Sequence, residues 1–466
     1  MKPLDALAGI GQGWLVGGAV RDKLLGRPTS DYDVAVDGDP RALARSLARA
    51  THSHVFKLSE GFGAWRVVAR DRSWQVDVVA LAGGTVESDL ANRDLTINAI
   101  AEPLGGGERI DPFGGVADLR EHRLRMVSPQ AFARDPLRCV RVARLACELD
   151  FEPERESVLV AKANAPALAG VAPERIFAEL KRIIVSDRAP EGLELLDELG
   201  ITDVVLPELS ALRGVEQNAY HHLDVHGHTR AVLGELIRIE RAPERWFGKH
   251  GPGLHEVLTE PLAEELTRGQ ALRFGALLHD IAKPQTRRVG EEGGVRFIGH
   301  DEAGAEMAGS ILSRLRASQR LTDYVAALTR HHLRLGFLVH EMPLGRREVY
   351  RYLRCCEPVE VEVTVLSVAD RLATRGRRSE KAITEHLELA RELLGEALAW
   401  RARRPRPPLR GDELVRALSL APGPQVGRIL EALEEESFAG VVTSREDAIE
   451  RARQLVNESL VGDGEL

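Results

Sequence analysis

The segment from Trp14 to Asp37 limits what this chain can fold into more than any other. An apolar run, Trp14-Leu15-Val16, meets the glycine pair Gly17-Gly18, and a short helical reach continues to Gly26. Asp31-Tyr32-Asp33-Val34-Ala35-Val36-Asp37 then sets two carboxylates at alternate positions of a second strand. Glycine lacks Cβ, so backbone N–H groups there can approach a triphosphate, a helix start adds partial positive charge, and Arg21 supplies a full one. Residues i and i+2 of a strand share a face, so Asp31 and Asp33 can share a hard divalent cation such as Mg²⁺. Taken alone, the segment fits a tight strand-to-helix turn before a solvated acidic strand equally well.

The next stretch of chain favours chemistry. Val34 to Val36, His54 to Leu58, Trp65 to Val68 and Val76 to Leu81 read as strands, and Arg41 to Ala50 as an amphipathic helix, so a small mixed sheet backed by helices is expected. Asp77 stands among apolar neighbours, where an idle charge is costly, and is expected to act as a third catalytic carboxylate. Three carboxylates on one sheet edge suit two-metal phosphoryl transfer. In Asn92-Arg93-Asp94-Leu95-Thr96-Ile97-Asn98, Arg93 offers a triphosphate cation, Asp94 a ribose-hydroxyl acceptor and Asn98 an amide. The same run also reads as a helix start capped by Asp94 or Thr96.

In order along the chain come Gly17-Gly18-Ala19-Val20-Arg21-Asp22, the Asp31/Asp33 pair, Arg93 to Ala99, Asp111-Pro112-Phe113-Gly114-Gly115 and Asp135-Pro136-Leu137-Arg138. Together they resemble the bacterial class II tRNA nucleotidyltransferase and poly(A) polymerase family. The resemblance implies a protein template that selects CTP or ATP, with Asp135 and Arg138 as its base-reading pair. From Phe132 to Leu149 the pattern reads as one helix, with Asp135 and Arg138 on one face. Arg141 and Arg144, further along it, are assigned to the nucleotide as well. The family usually carries Glu before the template Asp, where this chain has Arg134. Pro173-Glu174-Arg175-Ile176 and Glu179 resemble the helical motif that supports the template.

Beyond about residue 221 the chemistry changes. His228, His279-Asp280, His300, His331-His332 and Asp370 concentrate histidines of a chain that has 15 in all. Imidazole and carboxylate from distant helices can complete one metal shell. The set resembles the HD phosphohydrolase superfamily, which implies a divalent transition metal (Ni, Mn, Co, Fe or Zn) on His228, His279, Asp280 and Asp370. His300 and His331 or His332 would hold a second metal or a phosphate. Such a metal would provide hydroxide for phosphoester hydrolysis.

The fold class expected is α+β, and 466 residues exceed one compact core. The expected units are a nucleotidyltransferase head at 1–120, a helical neck at 121–206, an HD domain at 207–385 and a helical, RNA-binding region at 386–466. A basic, proline-rich linker is read from Trp400 to Arg410, and Arg375-Gly376-Arg377-Arg378 as a basic cluster. A net charge of −8 argues against a protein coated in nucleic acid, although clustered arginines can still make a basic face. Four cysteines make neither a disulfide framework nor a Cys-x-x-Cys metal site. With no membrane-length apolar run and no secretory pattern, a cytoplasmic location without a membrane partner is expected.

The activity expected is extension of tRNA 3′ ends from CTP, ATP or both. Only 15 residues separate Asp77 from Arg93, where full CCA-adding members usually carry a longer loop. That resembles the CC-adding specialists, which leave the terminal A to a separate partner enzyme. The competing readings are a poly(A) polymerase, and a hydrolase or RNA-binding protein with an inactive transferase head.

Overall fold

The computed structural model describes residues 3–10, 13–58, 63–217, 223–290, 294–374 and 379–462. The cluster at Arg375 to Arg378 lies outside them. The chain divides into two compact units, the first ending at Pro207 and the second beginning at Glu208.

The first unit holds a mixed sheet of β1 (Trp14–Val16), β2 (Asp31–Val36), β3 (His54–Lys57), β4 (Trp65–Val68), β5 (Gln75–Ala80) and β6 (Ala101–Pro103). Their order across the sheet is β3-β4-β5-β2-β1-β6. Within this sheet, among the described residues, only β2 and β5 run parallel, joined through α1 (Pro40–Thr51) and the β3–β4 hairpin. Asp39 caps that helix by accepting from the Arg41 N–H at 2.9 Å, and Leu43, Ala44 and Leu47 are buried along it. On one side of the sheet, Val16, Ala35 and Ala101 pack with Ala99 and with Val86 and Leu90 of α2 (Val86–Ala91). The other half of that side stays polar, and there the carboxylates stand.

The single helix expected from Phe132 to Leu149 is instead two. A short helix ends at Arg134, Asp135 is extended at φ −144°, and α3 (Leu137–Leu149) starts after Pro136. Proline disfavours the α conformation of the residue before it and suits a helix start, so the break falls at Asp135-Pro136. Next to α3 packs α4 (Pro173–Ile184).

The second unit is built of helices, with small two-stranded pairings. Its centre is α9 (Glu360–Ala373), almost wholly buried. Against it pack α5 (Val225–Arg241), α6 (Arg268–Leu278) and α8 (Gln319–His331), with α7 (His300–Arg314) packed on α8, and α10 (Ser379–Ala402), next in the chain, packs along it too. The linker expected to begin at Trp400 begins later, because Trp400 belongs to α10. It is buried and meets Tyr350 and Phe438 edge-on at 5.6 and 5.8 Å between ring centres. The last helices, α11 (Gly411–Leu418), α12 (Pro424–Phe438) and α13 (Arg445–Gly462), enclose a core of their own around Leu414, Ile429, Leu433, Ala448 and Ala452. Leu433 is fully buried there. Leu433→Ala is expected to destabilise this helical cluster by about 3 kcal/mol, seen as a lower urea midpoint.

Candidate functional site

The polar half of the head sheet is set by register. Asp31 lies opposite Gln75 and Asp33 opposite Asp77, and opposed residues share a face. Asp31, Asp33 and Asp77 therefore stand side by side. Burial pushes the Asp33 carboxyl up from its ordinary value; Asp31 and Asp77 add to the rise, while Arg93 and Arg141 oppose it. Crowded like charges beside a partly desolvated carboxylate form a set that a hard cation balances. Asp77 is already matched by Arg66, which donates to both of its oxygens at 2.7 Å. Asp31 and Asp33 are thus the pair that fits a metal best.

Across from them lies a cavity of about 520 Å³. It is lined by Asp31, Asp33, Gly17, Gly18, Arg21, Arg93, Asp94, Asn98, Arg138, Arg141 and Arg144. Every residue assigned to the nucleotide from the sequence is there except Asp135. Gly17 has φ +71°, a backbone conformation that L side chains rarely adopt, and a Cβ on it would also meet Arg93 Nη1 at 2.5 Å, so the turn beneath that guanidinium favours glycine. The Gly17 N–H itself is taken by the Ile100 carbonyl at 3.3 Å.

The cations of this wall are held in place. Arg21 donates to Asn98 Oδ1 at 2.7 Å and to both oxygens of Asp22. Arg93 pairs with Asp89 at 3.0 Å. Asp89 is not among the residues singled out from the sequence, although its spacing of four before Arg93 on a helix is an available signal. Arg144 is paired with Glu148 at 2.7 Å and with Glu179, the residue read as a support. Asp94 is 4% exposed. It accepts from the Leu95 N–H at 2.8 Å and Asn98 Nδ2 at 3.0 Å, and forms an ion pair with Arg141 at 3.0 Å. Burial alone would raise its pKa; Arg141, Asn98, the Leu95 N–H and Arg138 outweigh it and bring the value to about 2. Neither Asp94 nor Thr96 caps the short turn at Thr96–Asn98 with its side chain.

Asp135 and Arg138, expected as the template pair, are braced by protein partners. Arg138 donates to the Asn92 carbonyl at 2.6 Å and, through Nη1, to those of Arg93 and Ala131 at 3.3 and 3.2 Å. Asp135 accepts from Arg175 of α4 at 2.8 Å. Arg134, which stands where the family usually has Glu, donates to Asn92 Oδ1 at 2.7 Å.

In the second unit, His228 of α5, His279-Asp280 after α6, His300 at the start of α7, His332 after α8 and Asp370 of α9 converge. Ligand atoms of His228, His279 and Asp370 lie within 4.8 Å of one another, as do those of Asp280, His300 and His332. His228 Nε2 is 2.9 Å from Asp370 Oδ1. His300 Nε2 is 3.3 Å from Asp280 Oδ1. The Nδ1 atoms of His279, His300 and His332 lie 2.9, 2.6 and 2.6 Å from carbonyls three residues earlier. Donation there leaves each Nε2 a bare lone pair turned inward. The Nε2 atoms of His300 and His332 then face each other at 3.3 Å, and His279 Nε2 is buried without a hydrogen-bond partner, 3.1 Å from Asp280 Oδ2. Facing lone pairs beside a carboxylate are what bound cations resolve, so the donor set fits one or two transition metals. Burial pushes His332 down to about 4, which keeps it neutral for ligation. His331, expected as an alternative, turns elsewhere, with Nδ1 3.8 Å from Cys355 Sγ. Successive helical residues point about 100° apart, so only one of the two can face the cluster.

Three family models match the chain. A family model described as "Poly A polymerase head domain" matches residues 13–125, one described as "Probable RNA and SrmB- binding site of polymerase A" matches 150–212, and one described as "HD domain" matches 255–375. An A-adding tRNA nucleotidyltransferase of Deinococcus radiodurans is 37% identical over 93% of each chain. A CC-adding tRNA nucleotidyltransferase of Thermus thermophilus is 35% identical over 93% of this chain and 91% of its own. A solved CCA-adding enzyme in an apo form shares the fold at 19% identity and a TM-score of 0.65, over 97% of this chain and 93% of its own. The Thermotoga maritima CCA-adding enzyme complexed with tRNA does so at 20% identity and a TM-score of 0.62, over 97% and 94%. No helix among the described residues is long and apolar enough to cross a membrane.

Because the folded pKa of Asp94 lies below its unfolded value of 3.8, its stabilisation is fully present above pH 4 and is lost as pH falls towards 2. Asp94→Asn should therefore lower stability at pH 7 by about 2 kcal/mol. The gap to the parent protein should narrow through that acid window in urea titrations at stepped pH.

Proposed function

The chain belongs to the tRNA nucleotidyltransferase and poly(A) polymerase family and is a nucleotidyltransferase of the tRNA CCA-adding type, and we propose that within it the protein adds CC to tRNA 3′ ends. The observation that carries this reading is how the span from Asp77 to Arg93 is used. β5 runs to Ala80, Asp89 accepts from the Ala82 N–H at 3.2 Å, and Thr85 caps α2 by accepting from the Ser88 N–H at 3.2 Å. Val86 and Leu90 of that helix are buried in the head core. Little chain is left to move when the base to be added changes from C to A, so a separate enzyme would add the terminal A. Addition of A alone is the second reading, favoured by the 37% identity to the A-adding relative.

In this mechanism the RNA 3′ hydroxyl attacks the α-phosphate of CTP, and pyrophosphate leaves. Mg²⁺ held by Asp31 and Asp33 would polarise that phosphate and lower the hydroxyl pKa. Arg93 and Arg21 sit in the cavity wall with fixed guanidinium groups, suited to the triphosphate. Asp77, locked by Arg66, keeps a third negative charge beside the pair. For base selection, Asp135 accepts the exocyclic amine of the base and Arg138 reaches its ring acceptor, trading part of their present bonds to Arg175 and the Asn92 carbonyl.

For the HD centre we propose phosphoester hydrolysis. A divalent transition metal (Ni, Mn, Co, Fe or Zn) on His228, His279, Asp280 and Asp370, with His300 and His332 beside them, would supply a Lewis acid and a hydroxide at neutral pH. Lys283, 2.7 Å from Asp280 Oδ2, holds that carboxylate and places a cation at the edge of the site.

With tRNA ending at the discriminator base plus CTP and ATP, product masses should rise by two cytidylates and stop. A complete CCA end, addition of A only to CC-ended tRNA, or long tails from ATP alone would each overturn the CC assignment. The two centres should also separate by mutation. Replacing Asp31 and Asp33 by Ala should cut nucleotide addition by on the order of 10³-fold and spare hydrolysis of a generic phosphoester. His279→Ala should do the reverse; loss of both activities in either variant would sink the assignment of independent sites.

A further inference from the structure

Two rows of opposed residues cross the polar face of the head sheet. One runs Phe56, Arg66, Asp77, Asp33; the other runs His54, Val68, Gln75, Asp31. Opposed residues share a face, so both rows lead from the catalytic carboxylates outward to β3, the edge strand. At their outer end lies a groove of about 720 Å³ lined by His54, Phe56, Arg66, Arg70, Arg72 and Gln75 among others, with no carboxylate in its described lining. Arg70 and Arg72 are exposed, and Phe56 is 47% exposed. In a chain of net charge −8, a strip with three arginines, a histidine and an open aromatic ring is a local reversal of sign.

The groove joins the reaction centre on the side away from the nucleotide. Gln75 Nε2 donates to Asp31 Oδ1 at 3.1 Å, and Arg66 holds Asp77. None of the groove-lining residues lines the nucleotide cavity, whereas Asp31 and Asp33 do. The carboxylates are therefore the boundary between the two. In-line displacement brings the attacking oxygen from the side opposite the departing pyrophosphate, so a hydroxyl attacking a nucleotide in the cavity arrives from the groove.

We propose that this groove holds the unpaired 3′-terminal nucleotides of the acceptor RNA, with Arg70 and Arg72 on backbone phosphates and Phe56 stacked against a base. The assignment rests on the nucleotidyltransferase reading above. Exposed guanidinium groups track a phosphate backbone, and an aromatic face accepts any base, which suits an end whose sequence changes as it grows. Arg66, matched by Asp77, is a positioning residue that fixes the inner end of the track.

Steady-state addition of CTP to tRNA lacking its CCA end tests this in the full-length protein. The double variant Arg70→Gln, Arg72→Gln should raise the KM for RNA by roughly tenfold, leave the KM for CTP unchanged, and flatten the dependence of log KM on log salt by about 1.4 for two lost phosphate contacts. Phe56→Ala should raise the RNA KM by roughly tenfold, with Phe56→Trp restoring it, because loss of one stacked base has that order of effect. All replaced side chains are exposed, and an unchanged thermal melting point checks the fold. An unchanged RNA KM and salt slope, or a parallel rise in the KM for CTP, would overturn the groove assignment. If the parent protein transfers no nucleotide to RNA, the nucleotidyltransferase reading itself fails, and the groove assignment falls with it.

Discussion

The head of this protein depends on one buried carboxylate. Taking the charge of Asp94 out of water costs several kcal/mol unless it is matched. The Leu95 N–H, Asn98 and Arg141 match it. Because Arg141 belongs to α3, the charge buried in the head is matched in part by the neck helix. The same network reaches outward. Asn98, tied to Asp94 through its amide nitrogen, receives Arg21 on its oxygen, while Arg138 of α3 holds the carbonyls of Asn92 and Arg93. The cavity wall around Arg21 and Arg93 and the segment that carries Arg138 are thus parts of one polar structure.

The two centres gather charge by different means. In the head, the pleat does it: parallel pairing of β2 with β5 aligns Asp33 with Asp77, and alternation adds Asp31. Like charges are then kept tolerable by Arg66 on one side and by room for a cation on the other. In the second unit no strand is involved. The helices α5, α7 and α9 and the ends of α6 and α8 each bring one or two of the clustered His and Asp side chains, and backbone carbonyls fix the direction of three imidazoles. A sheet face suits a site open to long substrates, whereas packed helices bring side chains far apart in the chain to one cluster, which here opens on a cavity of about 740 Å³ lined by Asp280, His300, His332 and Asp370 among others.

Much of this is legible in the chain. The Gly17-Gly18 turn, the Asp31 and Asp33 alternation and the apolar strands are local patterns, since period and glycine chemistry are properties of neighbouring residues. The concentration of His and Asp from His228 to Asp370 is visible by simple inspection, although not which of them meet. The proline at 136 is visible too, yet helical periodicity on both sides of it masks the break that Asp135-Pro136 imposes.

The chain alone therefore settles the set of groups and their local faces. Their partners come only from the folded molecule: Asp77 with Arg66, Asp135 with Arg175, Arg93 with Asp89, and His332 rather than His331 in the His/Asp cluster. The cause is distance along the chain. Asp135 and Arg175 are 40 residues apart, and the rotation of α8 that turns His332 inward comes from how several helices pack together. No window of neighbouring residues contains that information, because the burial that selects one partner over another exists only once the chain has closed on itself.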